Sequence, residues 1–141
     1  MEGWGEVYPE GLYRLLVQWT RFGLPIYVTE CGVPDNNDSM RPRFILTHLA
    51  AVYRAIVAGA PVQGFYFWSL VDNFEWAEGW SARFGLIYLD ERTQERLLKR
   101  SGSLYGEIIQ AGGITPEMVE RYAPEVDRRL LSPLFDSVSA V

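Results

Sequence analysis

The stretch 62-VQGFYFWSL-70 is apolar at most positions and decides the fold class of this chain. Near-continuous apolar runs of this length are typical of strands buried on both faces, as in parallel sheets. Upstream, 26-IYVT-29 is too short and too rich in β-branched residues for a helix, and it predicts a second strand. A helical apolar pattern lies between the two, from about Pro42 to Ala58. The order strand, helix, strand predicts a βαβ unit in an α/β fold.

Further elements are expected on both sides of this unit. A first helix begins at Pro9 and ends before Gly23, and a long loop from about Val71 to Arg83 leads to a short strand at 85–89. A later helix is centred on 104–109. Thr115 and Pro116 have the form of a helix start, a second helical segment is expected at 125–131, and residues 132–141 are expected to be frayed. The predicted division is therefore a main unit at 1–114 and a partly helical tail at 115–141.

Composition excludes several classes of protein. The chain has 141 residues and is 48% hydrophobic, enough for one ordinary domain with a sizeable core. Its net charge of -5 argues against a nucleic-acid or anionic-membrane partner. A single cysteine rules out an internal disulfide. No apolar run approaches the roughly 20 residues that span a bilayer, and the first residues have no signal-peptide pattern, so a cytoplasmic location without membrane contact is expected.

Glu30 ends the first short strand, and two interpretations fit its position. In one, it is a solvated carboxylate at a strand end. In the other, it is a catalytic carboxylate held in a cleft. Glycoside hydrolysis uses two carboxylates, one as acid/base and one as nucleophile, about 5 Å apart in retaining enzymes. The carboxyl ends of parallel strands lie on one face, so Glu30 is expected at the same mouth as the segment 68–76.

That segment combines aromatic and acidic residues in an unusual way. Seven of the 20 aromatic residues fall between Phe65 and Trp80, and a core strand explains only those before Ser69. Aromatic faces match the C–H faces of a pyranose ring, while carboxylates accept its hydroxyl protons, so Glu75 suits a sugar-binding role. Core packing remains the alternative for the tryptophans. Asp72 and Asn73 are interpreted as loop-capping residues.

Two motifs together resemble a known family. The runs 27-YVTECG-32 and 68-WSLVDNFEWAEGWSARFGLIYLD-90 are similar to the carboxyl-terminal part of glycoside hydrolase family 1, the β-glucosidase and β-galactosidase group. The family pattern there reads TENG, then WSLxDNFEWxxGxxxRFGL. The flanking runs 8-YPEGLYRLL-16 and 48-HLAAVYRAI-56 are also similar, so the resemblance covers roughly residues 4–114.

The resemblance implies a role for each matching residue. Glu30 falls on the nucleophile that forms the covalent glycosyl-enzyme intermediate of a retaining β-glycosidase. Trp68 falls on the floor of the subsite for the non-reducing sugar, Glu75 and Trp76 on groups that bind its outer hydroxyls, and Phe84 on an aromatic lining the same subsite. The implied partner is a small β-glycoside or oligosaccharide, with terminal β-D-glycosidic bonds as the target. No cofactor and no metal are implied.

The resemblance also implies a fold that this chain does not complete. The family folds as a (β/α)8 TIM barrel of about 250 residues or more, and the chain matches what looks like the last two β/α units. The Asn-Glu-Pro motif that carries the general acid/base is not in the sequence. The expectation is therefore a fragment of a β-glucosidase-like enzyme that is inactive alone.

Two alternatives stay open: a noncatalytic half-barrel that assembles with a separate amino-terminal half or with itself, and a carbohydrate-binding remnant. Two departures from the family pattern stand beside them. Cys31 replaces the family's asparagine after the nucleophile. The run 96-RLLKRSGS-103 differs from the usual RxPKxS and leaves the start of the following helix open.

Overall fold

The computed structural model describes residues 6–127 and Leu131, which form helices and strands in an α/β arrangement. The helices are α1 (Pro9–Trp19), α2 (Arg41–Val57), α3 (Arg100–Ala111) and α4 (Pro116–Tyr122). The strands are β1 (Ile26–Cys31), β2 (Val62–Phe67), β3 (Ile87–Leu89) and β4 (Arg96–Leu98). Single 3-10 turns lie at Thr20–Phe22 and Trp76–Glu78.

The predicted βαβ unit is confirmed. β1 and β2 pair in parallel, with Ile26 opposite Val62 and Cys31 opposite Phe67, and α2 is the crossover between them. α1 and α2 pack on one face of this pair, where Leu16, Val52, Ala55 and Ala60 form a buried apolar cluster. The inward side chains of both strands, among them Val28, complete that cluster.

The second face of the pair differs from the expectation of a strand buried on both sides. Tyr27 is 54% exposed and Tyr66 is 58% exposed, and their rings flank Gly64, where an added Cβ would lie 2.9 Å from the Tyr27 ring. β2 also ends at Phe67 rather than at Leu70. The apolar run predicts burial that a two-stranded sheet covered by helices on one face does not provide.

A short antiparallel hairpin was not predicted. β3 pairs with β4, and the turn between them is closed by Asp90, whose carboxylate accepts hydrogen bonds from the backbone N–H groups of Arg92 and Thr93. β4 is only three residues long and exposed, so it has no apolar alternation that would reveal it. α3 then begins at Arg100, which settles the helix start that the departure from RxPKxS left open.

A second core joins α2, α3 and α4. Its most buried members come from all three helices and from Leu131, and include Ile45, Leu46, Leu104 and Val119. The predicted N-cap at Thr115 is confirmed, because its hydroxyl accepts a hydrogen bond from the N–H of Met118. Residues 124–126 form a turn and a bend instead of the helix expected from 125. Apart from Leu131, the remainder of that expected helix and the segment 132–141 lie outside the described residues.

The single histidine of the chain gives a pH test of the folded state. His48 is 5% exposed, stacks on the Phe44 ring at 3.8 Å and lies with Nδ1 2.9 Å from the Phe44 carbonyl oxygen. Burial lowers the pKa of His48 below its usual value near 6.5, and the hydrogen bond offsets this only in part. Below pH 6.5 the unfolded chain therefore binds a proton that the folded chain resists.

We expect the free energy of unfolding to fall as pH is lowered from 7.5 to 5.5. The slope should not exceed about 1.4 kcal/mol per pH unit, because one proton is involved. Urea unfolding at a series of pH values measures it, and His48→Gln is the control that should remove the slope in this window. An unchanged slope in that variant would contradict a neutral buried imidazole.

Candidate active site

The carboxyl ends of β1 and β2 are held together by direct backbone contact. The N–H of Trp68, just after β2, donates to the carbonyl of Cys31 at 3.0 Å. At Gly32, an added Cβ would lie 1.8 Å from the Trp68 carbonyl oxygen, so only glycine permits this approach. Glu30 and Trp68 consequently lie at the same end of the β1–β2 pair, as predicted from the parallel order of the strands.

Glu30 is exposed at this end of the β1–β2 pair. Within the part of the chain that the structure describes, its carboxylate takes part in no hydrogen bond or ion pair. A carboxylate tied into the fold would be satisfied by such partners. This one is held on a strand with its oxygens open to an approaching molecule.

In the loop after β2, Glu75 ends a series of side-chain hydrogen bonds, the relay Ser69–Asn73–Glu75. Asn73 Nδ2 donates to Glu75 Oε2 at 2.9 Å, and Asn73 Oδ1 lies 3.2 Å from the hydroxyl oxygen of Ser69. Asn73 was interpreted from the sequence as a loop-capping residue, and its contact with Glu75 was missed. The available signal was an amide two positions before a carboxylate, which is too common to be diagnostic.

Trp76 follows Glu75 and is the most exposed large apolar side chain among the described residues, at 86%. Its backbone has a φ of 44°, in the left-handed region that a residue with a bulky side chain rarely adopts. The loop closes through the N–H of Glu75, which donates to the carbonyl of Gly79 at 2.7 Å. This closure presents the indole to solvent instead of to the core.

The five predicted site residues differ in exposure. Glu30 and Trp76 are exposed, and Trp68 and Glu75 are partly buried. Phe84 is only 5% exposed. Four of the five therefore have surface that a ligand could reach, whereas the Phe84 ring is covered by the chain itself.

Asp72 anchors the base of the same loop. Its Oδ1 accepts hydrogen bonds from the N–H of Gly85 at 2.8 Å and from Lys99 Nζ at 2.9 Å, while Oδ2 lies 3.7 Å from Arg83 Nη1. The carboxylate accepts from a backbone N–H group 13 positions along the chain rather than within its own turn, and it also forms a buried ion pair. Burial lowers the pKa of Lys99, and the bond to Asp72 opposes that effect.

A buried arginine ties this loop to the loop after β1. Arg41, at the start of α2, is fully buried, and its Nη2 donates to the carbonyls of Asp35 and Arg83, each at 2.7 Å. Its Nη1 pairs with Asp38, whose other carboxylate oxygen accepts the N–H of Ser101 at 2.8 Å. The two loops at the mouth and the start of α3 therefore share one ionic cluster.

Residues 6–127 and Leu131 contain neither a membrane-crossing helix nor a cluster of metal-binding side chains. No helix in this part is long and apolar enough to cross a membrane. No group of three or more His, Cys, Asp or Glu side chains is placed there to hold a metal ion.

Comparison with known proteins gives a consistent family. The model of glycosyl hydrolase family 1 matches residues 1–114. A β-galactosidase of Saccharolobus solfataricus is 46% identical over 117 residues, covering 82% of this chain and 24% of that protein. A 1,4-β-D-glucan glucohydrolase of Thermotoga neapolitana is 40% identical over 124 residues, covering 80% of this chain and 28% of that protein.

Solved structures agree with the sequence matches. The crystal structure of a hyperthermophilic β-glucosidase from Pyrococcus furiosus superposes with a TM-score of 0.80 at 41% identity, over 85% of this chain and 26% of that one. The chain belongs to glycosyl hydrolase family 1. It spans about a quarter of the length of the curated relatives that it matches.

Cys31, which stands where the family pattern has asparagine, gives a chemical test of the strand end. Burial raises the pKa of its thiol to about 11 from the ordinary 9.0, so the thiol is protonated at neutral pH. At pH 8, alkylation by iodoacetamide should be about 100-fold slower in the folded chain than in the urea-unfolded chain, because only the thiolate reacts. Mass spectrometry of timed samples measures both rates. Equal rates would place the thiol in solvent and contradict its burial.

Proposed function

We propose that this chain supplies the nucleophile and part of the sugar pocket of a retaining β-glycosidase, as the last two β/α units of a (β/α)8 barrel. The observation that carries the proposal is the position of Glu30 and the loop 68–84 at the same ends of two parallel strands. In parallel barrels, active sites are built at this end. Family membership supports the same reaction class.

In the proposed reaction, the Glu30 carboxylate attacks the anomeric carbon of a terminal β-linked sugar. The glycosidic C–O bond breaks, and the leaving oxygen takes a proton from a general acid, which gives a covalent glycosyl-enzyme intermediate. Water, deprotonated by the same group acting as base, then releases the sugar and frees Glu30. The two carboxyl groups of such enzymes stand about 5–5.5 Å apart.

The sugar held for this attack is proposed to lie over Trp68. Glu75 accepts protons from its outer hydroxyls, and the Trp76 indole N–H donates to a neighbouring one. Phe84 is proposed to border the subsite, although its ring is buried in the described chain. A small terminal β-glycoside or the end of an oligosaccharide is the substrate class that such groups fit.

The general acid/base is proposed to come from outside these 141 residues, because the Asn-Glu-Pro motif is not among them. Loss of general acid–base catalysis alone costs about 10²–10⁴-fold in rate. Loss of the positioning supplied by a complete pocket costs more. The isolated chain is therefore proposed to have no measurable glycosidase activity.

A second candidate function rests on the open face of the β1–β2 pair. Tyr27 and Tyr66 present apolar rings there, and the outer edge of β1 has no paired strand among the described residues. A noncatalytic half-barrel that pairs with a separate amino-terminal half, or with itself, would cover this surface. Size-exclusion chromatography of the isolated chain, alone and mixed with such a half, distinguishes pairing from a monomer.

The test of the nucleophile joins the chain to a complete barrel. The intact 141-residue chain is fused behind the part of the Saccharolobus solfataricus β-galactosidase that precedes its matched segment. We expect the fusion to hydrolyse an aryl β-glucoside and the isolated chain to release no product. Glu30→Gln should lower kcat of the fusion by about a thousandfold or more, because no covalent intermediate can form.

Glu91→Gln is the matched control, since Glu91 is an exposed carboxylate in the turn between β3 and β4. It should leave kcat within about twofold. A 2-deoxy-2-fluoroglycoside with a good leaving group should trap the intermediate, and peptide mass analysis should place the added sugar on Glu30. Activity that survives Glu30→Gln would overturn the nucleophile assignment.

A further inference from the structure

We propose that Asn73 is a positioning residue that fixes the carboxylate of Glu75 for recognition of the outer sugar hydroxyls. The inference rests on the proposed function, because it concerns the pocket of that reaction. It goes beyond it by giving a role to a residue whose sequence position indicates only loop capping. The relay Ser69–Asn73–Glu75 is the structural basis.

The contact between Asn73 and Glu75 has a defined direction. Asn73 Nδ2 lies 2.9 Å from Glu75 Oε2, and a carboxylate oxygen can only accept, so the amide nitrogen must face Glu75. The amide oxygen is then turned to Ser69, 3.2 Å from its hydroxyl. Both ends of the amide are thus specified by their neighbours, and the side chain has one satisfactory orientation.

Ser69 is a rigid base for this relay. It is 7% exposed, its N–H donates to the Phe84 carbonyl at 3.3 Å, and its carbonyl accepts from the N–H of Leu86 at 2.9 Å. Its hydroxyl also lies 2.9 Å from the carbonyl of Val71, so its single proton is shared between that oxygen and the Asn73 amide. The relay therefore begins at a buried residue whose backbone forms two hydrogen bonds, and it ends at the partly exposed Glu75.

The physical consequence concerns the orientation of the Glu75 carboxylate. A glutamate side chain on a loop rotates freely, and ordering it on binding costs free energy that a pre-ordered side chain does not lose again. The Asn73 N–H group takes one lone pair of Oε2 and leaves Oε1 and the remaining lone pair for two hydroxyls. Hydrogen bonds to a charged acceptor depend strongly on direction, so fixing the plane of the carboxylate favours binding of adjacent hydroxyl groups.

The experiment compares two substrates in the active fusion. One is an aryl β-glucoside, and the other is its 4,6-dideoxy analogue, which lacks both outer hydroxyls. Asn73→Ala should lower kcat/KM for the glucoside about 10-fold, as expected for a lost hydrogen bond to a charged group. For the analogue the loss in kcat/KM should stay below about threefold, because the analogue has no outer hydroxyl for the Glu75 carboxylate to bind.

Three variants set the scale of the measurement. Glu75→Gln gives the loss in kcat/KM when the hydroxyl-binding carboxylate is absent. Asn73→Asp should lower kcat/KM for the glucoside more than Asn73→Ala does, because two carboxylates would then face each other at hydrogen-bond distance. Asn37→Ala is the matched control, an exposed asparagine on the other loop of the mouth whose side-chain oxygen accepts a hydrogen bond from the N–H of Ser39. It should change kcat/KM for neither substrate by more than about twofold.

The outcomes separate the inference from the function on which it rests. A selective loss on the glucoside supports the positioning role. Equal losses on both substrates, or none, overturn it while leaving the nucleophile assignment intact, since a purely structural role does not discriminate between the two sugars. A fusion that is inactive, or active without Glu30, overturns the proposed function and the role of Asn73 with it.

Discussion

The fully buried guanidinium of Arg41 is the constraint on which the mouth of this structure depends. Its donors reach the loop after β1, through Asp35 and Asp38, and the loop after β2, through the carbonyl of Arg83. A buried charge without partners costs several kcal/mol, so these backbone segments must stay where they can satisfy it. Because Asp38 also holds the N–H of Ser101, the start of α3 belongs to the same constraint. A set of contacts distant in sequence is thereby reduced to one geometry.

The position of the candidate site follows from this geometry. β1 and β2 end side by side because they are parallel, and the Arg41 cluster then fixes the loops that leave them. Asp72 adds a second anchor at the base of the later loop through Gly85 and Lys99. With its base held, the loop can present an exposed Trp76 and a partly exposed Glu75 without collapsing onto the core. Rigid support below and open groups above are what a pocket for a polar ligand needs.

Features that depend on neighbouring residues could be predicted from the sequence, whereas contacts between distant residues could not. The strand within the apolar run 62–70, the helix between the strands and the Thr115 cap depend on near neighbours, and each was predicted, although the strand ends three residues early. The contact of Arg41 with Arg83 joins residues 42 positions apart, and its burial contradicts the usual exposure of arginine. The Asn73 relay is local, yet it depends on a loop shape that residue types alone do not specify. The apolar run also predicted burial of Tyr66, which is exposed. An apolar sequence indicates which side chains a strand can bury, but it does not indicate whether another element covers them.

The open sheet face and the unpaired nucleophile have one physical cause under the proposed function. A two-stranded parallel sheet with helices on one side leaves its other face and its outer edge uncovered. In a closed barrel, further strands cover that face, and they also bring the loops that carry the remaining catalytic groups. In such a barrel, those further strands would cover the exposed rings of Tyr27 and Tyr66, and their loops would face the free carboxylate of Glu30. Folding and catalysis would therefore be completed in one step, because the strands that bury the tyrosines would also position the acid opposite Glu30.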